Sequence, residues 1–423
     1  LRQIFCSFTT ADVIEQVIHT NVPVSIGLRY KKEKEFAEFL RGYVMTKPRV
    51  LISGAGIAGL ALARCLEQSG IEHVLLEKRS NGRQGSSGIA LPFNAVQALR
   101  ELGLAKKVLE EAHQVHEVTY TKKNGSILGR ASLNEPPLNQ DVFVAMRRDK
   151  LHEILLDGIE PRIHFETAIK AVDSKPLSVD VCCSDPTLSG EYDLVVSAEG
   201  IHSTLRQQCF PNEVTVVEHQ IPNWRFLVDY PNHGLQPVYM FARTELFMIY
   251  PISPDSLYCY AHVYDESGEY GSGDPHEHLH KLFGTFGGKV NNLLARIGDQ
   301  PIICSRLQSV KRPYYAYRRI MFIGDAGNAC SPLLQQGAAS AFEDAICLAD
   351  QLQNYPVEEA IKAYQKARAS IVEWIVSTSD SPVKKMKMMR NPIGAFVRDM
   401  IVRKRGPLNA QGWRQLAAMR LSV

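Results

Sequence analysis

Val50-Leu51-Ile52-Ser53-Gly54-Ala55-Gly56-Ile57-Ala58-Gly59, followed by an apolar run to Gly70 and by Ile71 to Glu77, decides the fold of this chain. Val50–Ile52 reads as a short buried strand. Ile57–Ser69 reads as a helix closed by Gly70, and Ile71–Leu76 as a second strand. Together they make a βαβ unit. Gly54 permits the tight turn off the strand, and Gly56 lets backbone amides approach a pyrophosphate. Gly59 lets the helix pack close to the sheet, and the helix N-terminus, with Ile57 and Ala58 in its first turn, faces the negative charge. Glu77 ends the second strand 18 residues beyond Gly59, where a carboxylate accepts the hydroxyl hydrogens of an adenosine ribose. The six-residue pattern alone is common; its setting of strand, helix, strand and terminal acid makes it a dinucleotide turn. NAD(P) and FAD both dock this way.

Outward from that unit, Phe93–Leu102 and Lys106–His113 read as helices. Residues 115–142 look irregular, with Gly, Pro and Asn turn signals, and Lys150–Leu156 resumes a helix. Tyr192–Ser197 is a buried strand. Tyr239–Phe241, Leu246–Tyr250 and Leu257–Tyr264 are aromatic-rich, β-favouring runs that predict an antiparallel sheet. Ile320–Ile323 is a further buried strand, a helix follows from about Gly337 to Leu352, and the chain beyond Pro356 is mainly helical. Residues 1–44 carry no glycine-rich motif and precede Met45-Thr46-Lys47-Pro48. They read equally as an upstream extension, with Met45 the start, or as a short arm with a helix near Lys32–Leu40.

The 423 residues allow two domains and a helical tail. A net charge of +3 argues against nucleic acid as the main partner. No apolar run approaches the ~20 residues that cross a bilayer, and the first 30 residues lack a secretory pattern. The nine cysteines are scattered, with Cys182–Cys183 the one adjacent pair. They suggest buried reduced thiols and a cytoplasmic protein rather than a disulfide framework or zinc site. No HExxH or CxxC…CxxC spacing points to a metal, and Ser203 beside His202 lacks the nucleophile-elbow setting of a hydrolase.

Two later segments choose between dinucleotides. Tyr192-Asp193-Leu194-Val195-Val196-Ser197-Ala198-Glu199-Gly200-Ile201-His202-Ser203-Thr204-Leu205-Arg206 gives a strand, a sharp turn and a helix start. Met321-Phe322-Ile323-Gly324-Asp325-Ala326-Gly327-Asn328-Ala329-Cys330-Ser331-Pro332 leads into Gln336-Gly337-Ala338-Ala339. A carboxylate ending a buried strand suits the hydroxyls of a ribityl chain. The next helix start, with Gly337 admitting close approach, offers backbone donors to the edge of a reduced, anionic flavin.

On these residues the chain resembles the class A flavoprotein monooxygenases, the para-hydroxybenzoate hydroxylase-like family that includes salicylate and kynurenine hydroxylases and tetracycline-inactivating enzymes. The likeness runs from about residue 48 to about 370. It implies that Gly54, Gly56, Gly59 and Glu77 hold the adenosine diphosphate half of FAD and that Arg148 contacts the cofactor. It further implies that Asp325 binds the ribityl chain and that Pro332 through Gly337 and Ala338 flank the flavin ring. The chain departs from the family pattern at Glu199, where Asp is usual, at Asn328 for His, at Gln335 for the first Gly of Gly-Gln-Gly, and at Ala339 for Asn. Gln335 and Ala339 are expected beside the ring.

The expected architecture is α/β: a Rossmann-type FAD-binding domain (45–110, 143–214 and 311–350), an antiparallel-sheet substrate domain (111–142 and 215–310) and a C-terminal helical segment (351–423). Most of Tyr239, Phe241, Phe247, Tyr250, Tyr258 and Tyr260 are read as sheet core, with a planar-substrate pocket as the second reading. Asp325 as a helix cap, Arg148 as a surface charge, and His202, Ser203 and Arg206 as a cap and solvated face are the structural alternatives. The basic stretch from Lys384 to Arg405 is read first as the solvated face of a docked helix and second as an amphipathic helix on an anionic membrane. The resemblance implies transient NAD(P)H, O2 and hydroxylation of an aromatic or polycyclic small molecule by a C4a-hydroperoxyflavin; no second fingerprint holds a nicotinamide nucleotide. The alternatives are a flavin dehydrogenase or oxidase acting on a non-aromatic substrate, and a non-catalytic flavin module. The oligomeric state is open.

Overall fold

The computed structural model describes residues 47–80, 87–159 and 162–421; the reading of residues 1–44 lies outside them. Val50–Ser53 sits inside a six-stranded sheet. The strand order is Ala316–Tyr317, Ile320–Phe322, Leu194–Ser197, Val50–Ser53, His73–Leu76 and Ile163–His164. All neighbours are parallel except the first pair. Val50, Leu51 and Ile52 are completely buried, the continuous apolar run expected of a parallel strand covered on both faces. One face carries the helices Ile57–Gln68 and Gly337–Asn354, joined through small residues such as Ala61, Ala341 and Ala345. The other face, through Leu51, Val195 and Phe322, meets Val179, Val181 and Tyr192 of a three-stranded sheet.

The second large sheet has seven strands, ordered Ile303–Val310, Val216–Asp229, Ser256–His262, Leu246–Ser253, Val238–Phe241, Glu117–Lys122 and Ile127–Ser132. Its side chains alternate between two cores, as a pleated strand requires. Phe247 and Ile249 pack with Phe283 and Leu293 of two covering helices, whereas Leu246, Met248 and Tyr250 face Phe93, Phe143 and Trp413.

The irregular reading of residues 115–142 is corrected here. Glu117–Lys122 and Ile127–Ser132 form a hairpin that extends this sheet, with Glu117–Lys122 parallel to Val238–Phe241. The Asn124-Gly125 dipeptide marks its turn, but its strands carry too many polar residues at the sheet's edge to stand out by periodicity. Beyond Pro356 the chain forms the helices Val357–Lys385, Pro392–Arg405 and Leu408–Leu421. The last is pinned by completely buried Trp413, whose indole Nε1 donates to the Leu334 carbonyl at 2.8 Å. Among the described residues eight cysteines are all free, and no helix is long and apolar enough to cross a membrane.

Candidate active site

The glycine turn is shaped by what surrounds it. Gly54 has φ +106, and a Cβ there would lie 2.6 Å from the Ala198 carbonyl oxygen. Glu77 braces the turn from the neighbouring strand, accepting from the Ala55 amide at 3.0 Å and from the Arg79 amide at 3.0 Å. Gly324, at φ +54, abuts the same helix start, because a Cβ on it would sit 2.8 Å from Ala58 Cβ. Residues far apart in sequence therefore meet. Gly54, Gly56, Ile57, Ala58, Glu77, Arg148, Asp325, Pro332, Gly337 and Ala338 all line one cleft of about 2150 Å3. Drug-sized pockets occupy roughly 300–1,000 Å3, so this cleft has room for a two-part nucleotide and a second molecule. Gly59 is not on its wall; it is buried beneath, packed against Gly54 and Ala198.

Asp325 opens onto the cleft, and no described residue donates a hydrogen bond to its side chain. The short helix Asp325–Asn328 begins at Gly324 without a side-chain cap, so the capping alternative does not hold. Asp325 is exposed to the cleft, yet desolvation by the surrounding walls pushes its carboxyl up, against the pull of the Arg148 and Arg206 guanidinium groups. Arg148 opens the helix Arg148–Leu156. Its guanidinium is pushed down by burial, opposed first by Asp325, and its buried Nε has no partner. An unpartnered cation and an unpartnered carboxylate thus face each other across one cleft.

Glu199 also lines the cleft, but its carboxylate is engaged by neighbouring residues. Its carboxylate accepts from Ser53 Oγ at 2.7 Å, Ser203 Oγ at 2.9 Å and the Leu205 amide at 3.0 Å, tying the first strand to the helix Thr204–Cys209. Ser203 caps that helix, accepting from the Arg206 amide at 3.0 Å. Arg206 is completely buried and donates to the carbonyls of Ala326 and Ile201, bracing the Asp325 turn from below. The solvated-face alternative fails for Arg206, while His202 is exposed and lines the cleft.

The Pro332–Ala338 segment explains one departure from the family pattern. Gln335 adopts the left-handed conformation, φ 54 and ψ 32, where glycine is unstrained. Its Nε2 donates to Tyr239 Oη at 2.8 Å, while its buried Oε1 has no partner. Ala339, expected beside the ring, is instead fully buried in the core under the cleft. Gly337 has no protein atom within 4 Å of where a Cβ would point, so its lack of a side chain leaves open space at the helix start.

Behind this segment lies a charge network that sequence reasoning missed. Asp344, completely buried, accepts from the Gly324 amide at 3.0 Å, Asn328 Nδ2 at 2.9 Å and Arg368 Nε at 2.8 Å. Glu343 accepts from Arg368 Nη1 at 2.7 Å and Asn94 Nδ2 at 2.9 Å, and pairs with Arg420. Despite burial, Arg368 and Arg420 hold the Glu343 carboxyl below its usual range. The available signal was an acidic pair inside the apolar helix GAASAFEDAICLA, which demands buried partners.

Opposite lies the seven-stranded sheet. Tyr239, Phe241, Tyr250, Tyr258 and Tyr260 line the cleft, whereas Phe247 belongs to the far core. The core reading holds for Tyr239, Phe247, Tyr250 and Tyr260, which are buried, and the pocket reading holds as well for all but Phe247: burial and pocket lining coincide because the cleft is cut into the sheet's packed face. Burial pushes the Tyr258 phenol up to about 12. Arg225, given no role from sequence, also lines the cleft; its Nη2 donates to Ser305 Oγ at 3.0 Å and its Nε is buried without a partner.

A flavin dinucleotide fits this donor set: a glycine turn for the pyrophosphate, free Asp325 for hydroxyls, Arg148 for charge, and a helix start open at Gly337. The comparisons agree. Residues 47–379 match the family model described as an FAD binding domain. The chain is 30% identical over 367 residues to a 2-heptyl-3-hydroxy-4(1H)-quinolone synthase of Pseudomonas aeruginosa, covering 84% of this chain and 93% of that protein. It is 27% identical over 331 residues to a putative FAD-dependent monooxygenase, YetM, of Bacillus subtilis, covering 76% and 89%. In fold it resembles Klebsiella pneumoniae HpxO complexed with FAD and uric acid, with a TM-score of 0.79, 21% identity, and coverage of 90% and 98%. With its glycine turn, its late Gly-Asp turn and most of its length matched, the chain belongs to the class A FAD-dependent monooxygenases.

Proposed function

We propose that this enzyme uses NAD(P)H and O2 to hydroxylate an aromatic small molecule, with Gly54, Gly56, Ile57, Ala58, Glu77, Arg148, Asp325, Pro332, Gly337 and Ala338 holding FAD. Gly59 acts beneath the site, as packing. Residues 45–110, 143–214 and 311–350 form the FAD side, 111–142 and 215–310 the substrate side, and 351–423 closes the cleft through Asn409 and Gly412. The observation that carries this reading is one continuous cleft, running from the glycine turn past Pro332–Ala338 to the tyrosine wall.

Bound FAD supplies electron transfer from NAD(P)H and activation of O2. The chain's part is positioning and solvent exclusion. Tyr239, Tyr250, Tyr258 and Tyr260 have phenols raised by burial, so they stay protonated and donate to a ring substituent. Arg225 supplies a positive charge beside them. A relative named for an alkyl-hydroxyquinolone supports a fused, apolar-substituted ring as the substrate class. Free thiols at all eight described cysteines support a cytoplasmic setting.

The overall balance is substrate, NAD(P)H, H+ and O2 going to hydroxylated substrate, NAD(P)+ and water. The test is NAD(P)H oxidation by the FAD-loaded enzyme across a panel of phenols and fused heteroaromatics, run under isotopically labelled O2. Substrate-stimulated turnover with one labelled oxygen in the product is expected. Turnover that leaves every aromatic unlabelled would instead favour an oxidase or dehydrogenase.

A further inference from the structure

The helix Pro392–Arg405 is inverted. Ile393, Phe396, Val397, Met400 and Ile401 recur at the spacing of one helical stripe and are between 41 and 70% exposed. The opposite face, bearing Ala395 and Val402, is buried. Arg398 pins that inner side by donating to the carbonyls of Ala242 at 2.8 Å and Arg243 at 3.0 Å and by pairing with Asp399. The stripe is thereby held away from the sheet, with Phe396 and Met400 outside the cleft and Ile393, Val397 and Ile401 along its mouth. Met388, just before the helix, is 63% exposed as well. A contiguous exposed apolar patch on a folded protein marks an interaction surface.

Its charge identifies the partner. From Lys384 to Arg405 the sequence has eight Lys or Arg and one acid, Asp399. Lys387 and Arg390 pair with Glu266. Lys384, Lys385, Arg403, Lys404 and Arg405 are exposed and have no acidic partner among the described residues. Apolar side chains between unpaired cations are the composition of a helix that lies in the interface of an anionic bilayer. A twofold pairing of two copies through this stripe would bring the same cations face to face, which is repulsive.

We infer that the Pro392–Arg405 helix seats the enzyme on an anionic lipid surface, with Phe396 and Met400 entering the acyl boundary and Arg403, Lys404 and Arg405 meeting headgroups. Ile393, Val397 and Ile401 also line the cleft, so its rim lies against the lipid and an apolar molecule reaches it without crossing water.

The test is co-sedimentation of the full-length, FAD-loaded protein with phosphatidylcholine vesicles, with and without phosphatidylserine. Binding is expected on the anionic vesicles only and should weaken with salt. The double variant Phe396→Ser/Met400→Ser should lower vesicle partition about tenfold or more while retaining FAD and its melting temperature. Reversal of Arg403, Lys404 and Arg405 to Glu should cost about fivefold per charge. Absence of vesicle binding by the wild type, equal binding to both lipid mixtures, or a dimer in light scattering that F396S/M400S dissolves would each overturn the inference.

Discussion

Removing the Asp344 carboxylate tests how the flavin cleft is held in shape. In the wild type it accepts from the Gly324 amide, the Asn328 side-chain amide and the Arg368 guanidinium, all within 3.0 Å and fully buried. Asp344→Ala leaves Arg368 with Glu343 as its remaining acidic partner and strands two buried donors. Breaking a buried ion pair by removing one partner costs about 3–5 kcal/mol, much of it the penalty on the groups left behind. Gly324 is the turn that presents Asp325, so FAD affinity should also fall, by about tenfold or more for about 1.4 kcal/mol of disordering. Arg368→Met in the same background removes the cation that has lost one of its two acidic partners. The double variant should therefore be less destabilised than the sum of the singles, by about 2 kcal/mol for directly contacting charges. Urea unfolding of the apoproteins gives the stabilities, and flavin titration gives the affinities. A cost below about 1 kcal/mol for Asp344→Ala, or strictly additive singles, would refute the network's role.

Other positions yield separate expectations. Gly54→Ala forces a side chain into φ +106 and against the Ala198 carbonyl, so about 1–3 kcal/mol of strain should appear as a lower melting temperature and a colourless preparation; a variant that melts and binds FAD like the wild type would remove the steric account. Asp325→Ala should bind FAD about 10–100-fold more weakly, from the loss of charge-assisted hydrogen bonds worth about 1.5–3 kcal/mol, with little change in apoprotein stability; an unchanged Kd would take Asp325 out of the site. Burial pushes the His262 imidazole down to about 4. The unfolded chain, at about 6.5, therefore binds the proton first as pH falls, and stability is lost between about pH 6.5 and 4. Between pH 7 and 5 this amounts to about 2 kcal/mol. His262→Asn should flatten that part of the stability–pH curve, and an identical slope in the variant would contradict the assignment.

How much was legible follows from where the signals lie. The Val50–Glu77 unit was read directly because its strands are buried on both faces and its glycines answer local steric needs. Asp325 and Arg148 were found through resemblance; each alone is an ordinary charged residue, and it is strand pairing in the six-stranded sheet, with the close approach of Gly324 to Ala58, that brings the turn to the nucleotide helix. The Glu117–Ser132 hairpin was missed because edge strands alternate weakly. Glu199 stood out only as a departure from the family's Asp; that local hydroxyls and an amide satisfy it is something spacing along the chain does not report. The tail was read as a docked helix with a solvated face; docking is what the structure has, but the outward face is apolar, and only burial distinguishes a core stripe from an exposed one.

The central claim is that Gly54–Ala58, Arg148 and Asp325 grip the two halves of a single FAD. Titration of the apoprotein with FAD and with FMN, followed by flavin fluorescence, tests it most directly. Stoichiometric, tight binding of FAD with markedly weaker binding of FMN, which lacks the adenosine half, is the predicted result. Equal affinity for both nucleotides, or no binding of FAD, would contradict it.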